Sequence, residues 1–231
     1  MLITYLLLLM SGNSIRFLRP DDYEILLSMK IICIGRNYVE HAKELNNPLP
    51  EEPIFFMKSE NALLPKRHPF YIPDFTKDLH YECELVLKIC KLGKHIPEKF
   101  ADTYFDEIGI GIDFTARDLQ QKCKDKGLPW EMAKSWDFSA PVGKFLPKSH
   151  FDKLDSIDFS LTKNMEVVQK GNSSLMIFSF STIIAYVSRF VTLKQGDLIF
   201  TGTPAGVGPV KSGDLLEAYI GDLKLLSLKV S

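Results

Sequence analysis

The sequence predicts an α+β domain in which strands dominate over helices. Short runs of β-branched and other apolar residues recur along the chain, bounded by glycine, proline or charged residues. The clearest of these runs are 29–35, 79–89, 108–113 and 196–200. Only two segments, 115–126 and 179–190, show clear helical patterns. Because there is no internal repeat and no low-complexity linker, residues 29–231 are expected to form a single domain.

The composition is that of an ordinary globular protein. The chain has 231 residues, of which 45% are hydrophobic and 25% are charged, and its formal net charge is −1. This length suffices for one sizeable core, and the near-neutral charge predicts no nucleic-acid partner. The four cysteines are scattered without CxxC spacing. They are expected to be free thiols in a reducing compartment, the cytoplasm, rather than disulfides or zinc ligands.

The first 28 residues do not share the pattern of the remainder. Residues 2–10 are apolar, but this run is about half the length that a membrane-spanning helix needs. It also lacks a preceding basic region and a small-residue cleavage site. A regular strand pattern begins only at Met29. We therefore expect residues 1–28 to be a poorly packed extension or the product of a misplaced start codon, and we expect no membrane association.

Two glutamates one residue apart are the strongest chemical signal. In a strand over 79–89, Glu82 and Glu84 lie on one face, roughly 7 Å apart along the backbone. Asp113 ends a second strand-like run, 108–113, whose glycines let a neighbour approach. Three carboxylates brought together repel one another unless a divalent cation neutralises them. The pattern therefore predicts a metal site, although it also fits an amphipathic strand whose glutamates merely face solvent.

A candidate acid–base pair follows the first regular strand. His41 and Glu44 are three residues apart, which places them on the same face of a helix. A histidine oriented by a carboxylate is a general base that works near neutral pH. The alternative is a surface ion pair on a short helix. Arg36 lies beside this element and carries a guanidinium suited to binding a carboxylate.

Both predicted helices carry recognisable signals. A capping-box-like pair, Thr115 and Asp118, starts the first helix, and Gly127 stops it. The second helix has apolar residues at helical spacing that are expected to lie in the core. These residues are Phe180, Ile183, Ile184, Val187 and Phe190.

Two further segments are expected near the carboxylates. Because the helix over 115–126 follows directly on Asp113, it would carry Arg117 and Gln120 close to any bound metal. The glycine-rich turn at 201–209 has neither the ending of a Walker A loop nor a following helix. Its threonines could donate hydrogen bonds to a bound carboxylate, and the alternative is a purely structural turn.

Seven short motifs occur in order along the chain. They are GRNYVEH (35–41), YECE (81–84), DFTARD (113–118), KGLPW (126–130), AKS (133–135), MIF (176–178) and TGTPAGVG (201–208). Together they resemble the fumarylacetoacetate hydrolase family. Within it they are most similar to the small fumarylacetoacetate hydrolase domain-containing enzymes that act on acylpyruvates and oxaloacetate. The resemblance covers residues 29–231. It implies a β-rich fold, a mixed sandwich and roll, that is usually paired as a homodimer.

The resemblance also implies roles for individual residues. Glu82, Glu84 and Asp113 would bind Mg²⁺ or Mn²⁺, hard cations that suit oxygen ligands. His41 and Glu44 would form the dyad that activates water. The positions matched to the carboxylate and keto oxygens of a substrate are Arg36, Gln120, Lys134 and Thr203, with Arg117 expected close by. From the sequence alone, the lysine in this set could also be an exposed residue before a turn.

These roles lead us to expect a metal-dependent hydrolase or lyase of short 2-oxo acids. It would hydrolyse a carbon–carbon bond of acylpyruvates or decarboxylate oxaloacetate, through an enolate stabilised by the metal and Lys134. The alternatives are an isomerase or tautomerase of oxaloacetate or of an aromatic-catabolite dienoate, and a non-catalytic metal- or carboxylate-binding protein. Two segments depart from the family pattern. Residues 163–169 lack its Asn-Gly hairpin turn, and residues 1–28 have no expected counterpart.

Overall fold

The computed structural model describes residues 9–11, 14–16, 30–45, 47–66 and 68–231. Strands outnumber helices, which confirms the predicted strand-dominated α+β class. The strands are β1 (Leu9–Ser11), β2 (Ser14–Arg16), β3 (Ile31–Gly35), β4 (Ile54–Lys58), β5 (Leu79–Tyr81), β6 (Cys83–Ile89), β7 (Phe105–Ile112), β8 (Thr115–Ala116), β9 (Leu146–Pro147), β10 (Asp158–Lys163), β11 (Glu166–Asn172), β12 (Leu198–Phe200), β13 (Gly208–Pro209), β14 (Leu215–Ile220) and β15 (Leu223–Lys229). The α-helices are α1 (Val39–Glu44), α2 (Glu98–Ala101), α3 (Arg117–Lys126), α4 (Glu131–Lys134) and α5 (Phe180–Phe190). Short 3₁₀ turns lie at Glu60–Ala62, Asp102–Tyr104, Lys148–His150 and Ser173–Leu175.

Most strands belong to three sheets. The largest has six strands in the order β4-β3-β12-β6-β7-β9. A four-stranded sheet has the order β11-β10-β14-β15, and a three-stranded sheet has the order β13-β5-β8. Strands β1 and β2 form a separate antiparallel pair. The rest of the predicted extension over residues 1–28 lies outside the described residues.

The strand directions bring four distant chain segments to one end of the six-stranded sheet. Strand β12 runs parallel to β3 and antiparallel to β6, and β6 runs antiparallel to β7. The carboxyl ends of β3, β12 and β7 therefore lie beside the amino end of β6. Arg36 and Thr201 follow β3 and β12, Glu82 precedes β6, and Asp113 follows β7. The candidate site is built at this end.

Strand β6 is buried on both faces. Cys83, Leu85 and Leu87 belong to the larger hydrophobic cluster, whereas Val86 packs in a second cluster with Phe200. Each face of the strand is thus covered by apolar side chains. A polar residue on β6 therefore lies in the interior of the protein and needs a partner there.

Helix α3 begins later than predicted. Thr115 belongs to β8 instead, and the helix has no side-chain cap at its start, so the predicted capping box is wrong. The Thr115 hydroxyl accepts a hydrogen bond from Lys134, and the Asp118 carboxylate accepts one from the Thr76 hydroxyl at 2.6 Å. Thr115 and Asp118 thus bond to residues elsewhere in the chain and do not form the predicted capping pair. The stop at Gly127 is confirmed, with a left-handed φ of 61°.

Helix α5 confirms the second predicted helix. The Ser179 hydroxyl caps it by accepting a hydrogen bond from the Thr182 N–H at 3.1 Å. Phe180, Ile183, Ile184 and Val187 are buried as predicted. Phe190 is 53% exposed, so its assignment to the core was wrong. As the last residue of the helix, it packs on Phe55 and Tyr186 near the surface.

The hairpin between β10 and β11 forms without the family's Asn-Gly pair. Lys163 pairs with Glu166, which leaves a two-residue turn of Asn164 and Met165. Both have positive φ, 53° and 71°, the conformation that favours glycine at the second position. The Asn164 side chain stabilises the turn through hydrogen bonds with Asp214 and the N–H of Leu215. The departure in sequence therefore leaves the turn in place.

All four cysteines are free thiols in the structure. Cys33, Cys83 and Cys123 are buried free thiols, and Cys90 is a half-buried one. Among the described residues, no helix is both long enough and apolar enough to cross a membrane.

Candidate active site

Three buried carboxylates form the floor of the site. Glu82, Glu84 and Asp113 are 5%, 2% and 1% exposed. Each offers a carboxylate oxygen, and these atoms all lie within 4.8 Å of one another. This burial argues against the alternative in which the glutamates face solvent on an amphipathic strand. Strand geometry explains the convergence, because β6 and β7 pair so that Cys83 lies opposite Ile112.

Two buried lysines and one arginine neutralise part of this negative charge. The Lys134 ammonium donates to Glu82 Oε2 at 2.7 Å and to Asp113 Oδ2 at 2.8 Å. Lys58 Nζ lies 2.8 Å from Asp113 Oδ1. Arg117 Nη2 donates to Glu82 Oε1 at 2.6 Å. Lys134 is therefore a buried, charge-paired residue and not an exposed lysine before a turn.

Glu84 is the carboxylate without a cation. Among the described residues it makes no ion pair, and its Oε2 accepts a hydrogen bond from the Gly202 N–H at 2.7 Å. Burial raises the pKa of Glu84, and the charges of Asp113 and Glu82 raise it further. Glu82 differs. Burial opposes its ionisation, but Lys134 and Arg117 hold its pKa well below the usual range.

These residues fit a hard divalent cation. The three carboxylates supply only oxygen ligands, and their spacing allows them to converge on one ion. Burial, and after it the charges of Asp113 and Glu82, raise the pKa of Glu84, and a bound cation would favour its ionised form. The donor set and its electrostatics thus fit a hard divalent cation.

A histidine–glutamate pair faces the carboxylates. His41 and Glu44 lie on α1, and His41 Nδ1 is 3.2 Å from Glu44 Oε2. The other Glu44 oxygen, Oε1, accepts a hydrogen bond from the Gly206 N–H at 3.0 Å. His41 is buried, and this burial lowers its pKa despite the opposing charges of Glu82 and Glu44. Because its imidazole is mostly buried, His41 does not belong to a surface ion pair.

Arg117 and Gln120 occupy the same face of α3. Arg117 Nη1 donates to the Gln120 side-chain oxygen at 2.7 Å while its Nη2 holds Glu82. Because the Gln120 oxygen is occupied, its amide N–H₂ is the group left to face a ligand. Arg117 thus connects a carboxylate of the cluster to Gln120 and fixes the orientation of that side chain.

The glycine-rich turn is anchored by a buried glutamine. Gln169 donates to Thr203 Oγ1 at 2.8 Å and to the Pro204 carbonyl at 3.0 Å, while its own oxygen accepts from the Cys83 N–H at 2.9 Å. Thr203 Oγ1 donates its hydrogen to the Cys83 carbonyl at 2.9 Å. In this arrangement the Thr203 hydroxyl offers a ligand a lone pair and no hydrogen. Its expected donation to a substrate carboxylate stays a prediction.

A cavity of about 420 Å³, including its open mouth, lies over the carboxylates. With the exception of Glu44, every residue proposed for the site from the sequence lines it. These residues are Arg36, His41, Glu82, Glu84, Asp113, Arg117, Gln120, Lys134 and Thr203. The structure therefore brings the whole predicted set together, with Glu44 directly behind His41.

Three residues of the site were missed from the sequence. Lys58 ends β4 and is buried against Asp113, Gln169 is buried under the turn, and Lys124 lines the cavity. The apolar run before Lys58 was a signal that this lysine is interior. Lys124 lies at helical spacing from Arg117 and Gln120, so the helix pattern was a signal for it. For Gln169 there was no local signal, because it acts through residues far along the chain.

A buried carboxylate cluster beneath a small cavity, faced by a histidine–glutamate dyad, defines the class as an enzyme with a candidate metal centre on a β-rich fold. Comparison with known proteins gives the family. Residues 30–231 match the family model described as "Fumarylacetoacetate (FAA) hydrolase C-terminal". The chain belongs to the fumarylacetoacetate hydrolase family, and it is an enzyme, as predicted.

Individual relatives span nearly the same length. Oxaloacetate tautomerase FAHD1, mitochondrial, of Mus musculus is 44% identical over 200 residues, which are 87% of this chain and 90% of the relative. Oxaloacetate decarboxylase, mitochondrial, of Dictyostelium discoideum is 42% identical over 195 residues, 84% of this chain and 89% of the relative.

A solved structure is similar over the full length. Fumarylpyruvate hydrolase from Pseudomonas aeruginosa, in complex with Mn²⁺ and pyruvate, matches with a TM-score of 0.82 and 33% identity. The match covers 100% of this chain and 97% of that structure.

Proposed function

We propose that this enzyme is a divalent-metal-dependent hydrolase or lyase of short 2-oxo acids. The observation that carries the proposal is the cluster of Glu82, Glu84 and Asp113, buried beneath a cavity that also presents Lys134 and His41. The fumarylpyruvate hydrolase, whose structure contains Mn²⁺ and pyruvate, supports the same chemistry. We propose Mg²⁺ or Mn²⁺ as the cofactor. When bound, such a cation supplies Lewis-acid polarisation of a carbonyl oxygen.

Lys134 would stabilise the negative charge that develops on the substrate. Although burial favours its neutral form, Asp113 and Glu82 raise the pKa of Lys134 and keep it an ammonium. Breaking a carbon–carbon bond next to a 2-oxo group leaves an enolate, which a fixed ammonium nearby stabilises. The group is already oriented by three hydrogen bonds, so little reorganisation is needed during the reaction.

His41 would move the proton. Because burial lowers its pKa, the imidazole is neutral at pH 7 and can accept a proton from water. Glu44 holds Nδ1, and its second oxygen is fixed by the glycine-rich turn, so the dyad is oriented from both sides. For acylpyruvates, the activated water would attack the distal carbonyl. Arg36 and Gln120 are proposed to hold the oxygens of the substrate, with Arg117 orienting Gln120. Thr203 would join them only when its hydroxyl hydrogen turns from the Cys83 carbonyl to the substrate.

A second candidate function is an isomerase or tautomerase acting on oxaloacetate. It is favoured by the oxaloacetate tautomerase of Mus musculus, a relative at 44% identity. A keto–enol exchange needs a residue that exchanges a proton and a stabilised enolate, and His41 and Lys134 supply both. The non-catalytic alternative is disfavoured because these groups and the carboxylates face one cavity.

The experiment is an activity screen with added Mg²⁺ or Mn²⁺ over acylpyruvates, oxaloacetate and ring-opened dienoates. The Asp113→Asn variant should lose roughly 10² to 10³ or more in kcat/KM on every substrate that the wild type converts. Asp106→Asn is the matched control, because Asp106 is exposed on β7, the strand that Asp113 follows. No metal-dependent turnover of any 2-oxo acid would overturn the proposal.

We propose in addition that the enzyme is a homodimer and lies in the cytoplasm. The dimer follows from the family resemblance, and light scattering of the purified protein tests it. The relatives described above carry the word "mitochondrial" in their names. Fractionation of cells that express the tagged full chain therefore distinguishes a cytoplasmic location from a mitochondrial one.

A further inference from the structure

A buried glutamine of the four-stranded sheet reaches the candidate site from outside. Gln169 lies on β11 and is 2% exposed, and it is not one of the residues that line the cavity. Its side-chain oxygen accepts a hydrogen bond from the Cys83 N–H, and its amide N–H₂ donates to Thr203 Oγ1 and to the Pro204 carbonyl. Both hydrogens of the amide are thus used, which leaves no donor for a ligand. Any effect of Gln169 on the reaction therefore passes through these three partners.

An irregularity in β11 directs this side chain toward the site. Leu161 of β10 pairs with Gln169, whereas the next residue of β10 pairs with Val167. Val168 is therefore an extra residue, a β-bulge, and a bulge bends its strand and redirects the neighbouring side chains. The Val168 carbonyl oxygen lies against Gly206, where φ is 97° and a Cβ would clash with that oxygen. Strand β11 thus contacts the glycine-rich turn through its backbone as well as through Gln169.

Gln169 also fixes the backbone between two of the three carboxylates. The Cys83 N–H belongs to the peptide group that follows Glu82, and the Cys83 carbonyl belongs to the peptide group that precedes Glu84. Gln169 bonds to the first group at 2.9 Å. Thr203, which is itself held by Gln169, bonds to the second at 2.9 Å. Both glutamates therefore project from peptide groups whose positions depend on Gln169.

The glycine-rich turn connects the carboxylate cluster with the dyad. The Gly202 N–H donates to Glu84 Oε2 at 2.7 Å, and the Gly206 N–H donates to Glu44 Oε1 at 3.0 Å. Gln169 bonds to two of the three residues in between, at 2.8 and 3.0 Å. A displacement of the turn would therefore move the hydrogen-bond donors of Glu84 and Glu44 together.

We propose that Gln169 is a positioning residue that holds Glu84 and Glu44 in the geometry needed for metal binding and for activation of water. This inference rests on the proposed function, because it takes Glu84 as a ligand of the cation and Glu44 as the residue that orients His41. Residues that hold metal ligands in place typically contribute roughly 10- to 100-fold to metal affinity or activity. Gln169 would contribute in this way without touching the substrate.

The test replaces Gln169 by Met, which has a similar size and cannot form these hydrogen bonds. The dissociation constant of Mg²⁺, measured by calorimetry, should rise roughly 10- to 100-fold. Ser188→Ala is the matched control, because Ser188 is fully buried and its hydroxyl bonds to the Ile96 N–H and the Ala185 carbonyl, both outside the cavity wall. The control should lower the melting temperature and leave the dissociation constant unchanged.

Steady-state kinetics give a second readout. At saturating Mg²⁺, kcat for acylpyruvate hydrolysis should still fall by about tenfold in Gln169→Met, because Glu44 loses its fixed orientation. Decarboxylation of oxaloacetate should fall less, since it needs no activated water. A loss of folded protein would instead lower both reactions equally.

Gln169→Asn is a second variant, for the case that Gln169→Met does not fold. It keeps the amide but is one methylene shorter, so it reaches less far from β11, and the same changes are expected. If the wild type binds Mg²⁺ and converts 2-oxo acids while the Gln169 variants behave like Ser188→Ala, this inference is overturned and the proposed function stands. Failure of both variants to fold would show that Gln169 serves the fold itself, and it would also overturn the inference. A wild type without metal binding and turnover overturns the two together.

Discussion

Two buried aspartates lie at opposite ends of the six-stranded sheet and differ in their surroundings. Asp113 follows β7 at the site, and Asp197 precedes β12 at the other end. Both are at most 1% exposed, and each is paired with a lysine, Lys58 for Asp113 and Lys30 for Asp197. Asp113 has a second lysine partner, Lys134, but burial and pairing with lysine are common to both aspartates.

The two carboxylates differ in the groups that surround them. Asp197 accepts a second hydrogen bond, from the Lys194 N–H at 2.7 Å, and fixes a turn. Asp113 lies with Glu82 and Glu84 beneath a cavity, where three like charges converge. Clustered like charges beside a cavity therefore separate a functional carboxylate from a structural one, whereas burial does not.

The sharpest test of this comparison is to neutralise each aspartate in turn. Asp113→Asn should lower kcat/KM by roughly 10² to 10³ or more, since electrostatic stabilisation of the reacting group is lost. Asp197→Asn should cost up to about 3 kcal/mol of unfolding free energy, less than a fully buried pair, because Lys30 is partly solvated. Its kcat/KM per folded molecule should stay near the wild-type value. Kinetics and urea denaturation measure both, and similar losses of activity in the two variants would contradict the distinction.

The next largest effect is expected at the dyad. His41→Ala should lower acylpyruvate hydrolysis by about 10² to 10⁴, the range for loss of a general base. Decarboxylation of oxaloacetate should suffer less, because carbon dioxide leaves without attack by water. Glu40→Gln, an exposed position of the same helix, is the control and should change neither rate. Equal, small losses on both substrates would mean that His41 and Glu44 form only an ion pair.

Metal binding should stabilise the site end of the sheet. Mg²⁺ or Mn²⁺ at a hundred times its dissociation constant should add about 2.7 kcal/mol to the free energy of unfolding, and excess chelator should abolish activity. Melting curves with and without the ion measure the effect. Glu84→Gln should weaken it, whereas Asp197→Asn should leave the increment intact. Full activity in excess chelator would remove the metal from the proposed function.

A smaller effect is expected in the dependence of activity on pH. Because burial depresses the pKa of His41 below its ordinary 6.5, the imidazole keeps its neutral, basic form as pH falls through that value. The acid limb of kcat/KM for hydrolysis should therefore have its midpoint below pH 6.5. This limb should be missing from the residual activity of His41→Ala. A midpoint above 6.5 would show that another group controls activity.

The smallest effect is expected from the start of the chain. A protein that begins at Met29 keeps Lys30, and with it the ion pair to Asp197. It should fold and turn over substrate as well as the full chain does. Melting temperature and kcat/KM are the measurements, and an insoluble or inactive product would show that residues 1–28 belong to the fold.

The sequence alone determined the strand-rich class, helix α5 and most of the polar residues that surround the cavity. Strand alternation placed Glu82 and Glu84 on one face, and helical spacing placed His41 with Glu44. These are local periodicities, so they can be read along the chain. Family motifs then added Lys134 and Thr203, which no local pattern would have joined to the carboxylates.

The tertiary structure decided what each residue contacts. Thr115 was expected to cap a helix and instead accepts a hydrogen bond from Lys134, while Phe190 was expected in the core and is largely exposed. Lys58 and Gln169 enter the site through partners more than 30 positions away along the chain. Such contacts depend on strand order and direction, which set which chain ends meet at one edge of a sheet. Local periodicity fixes the face of each element, but only packing fixes the neighbour of that face.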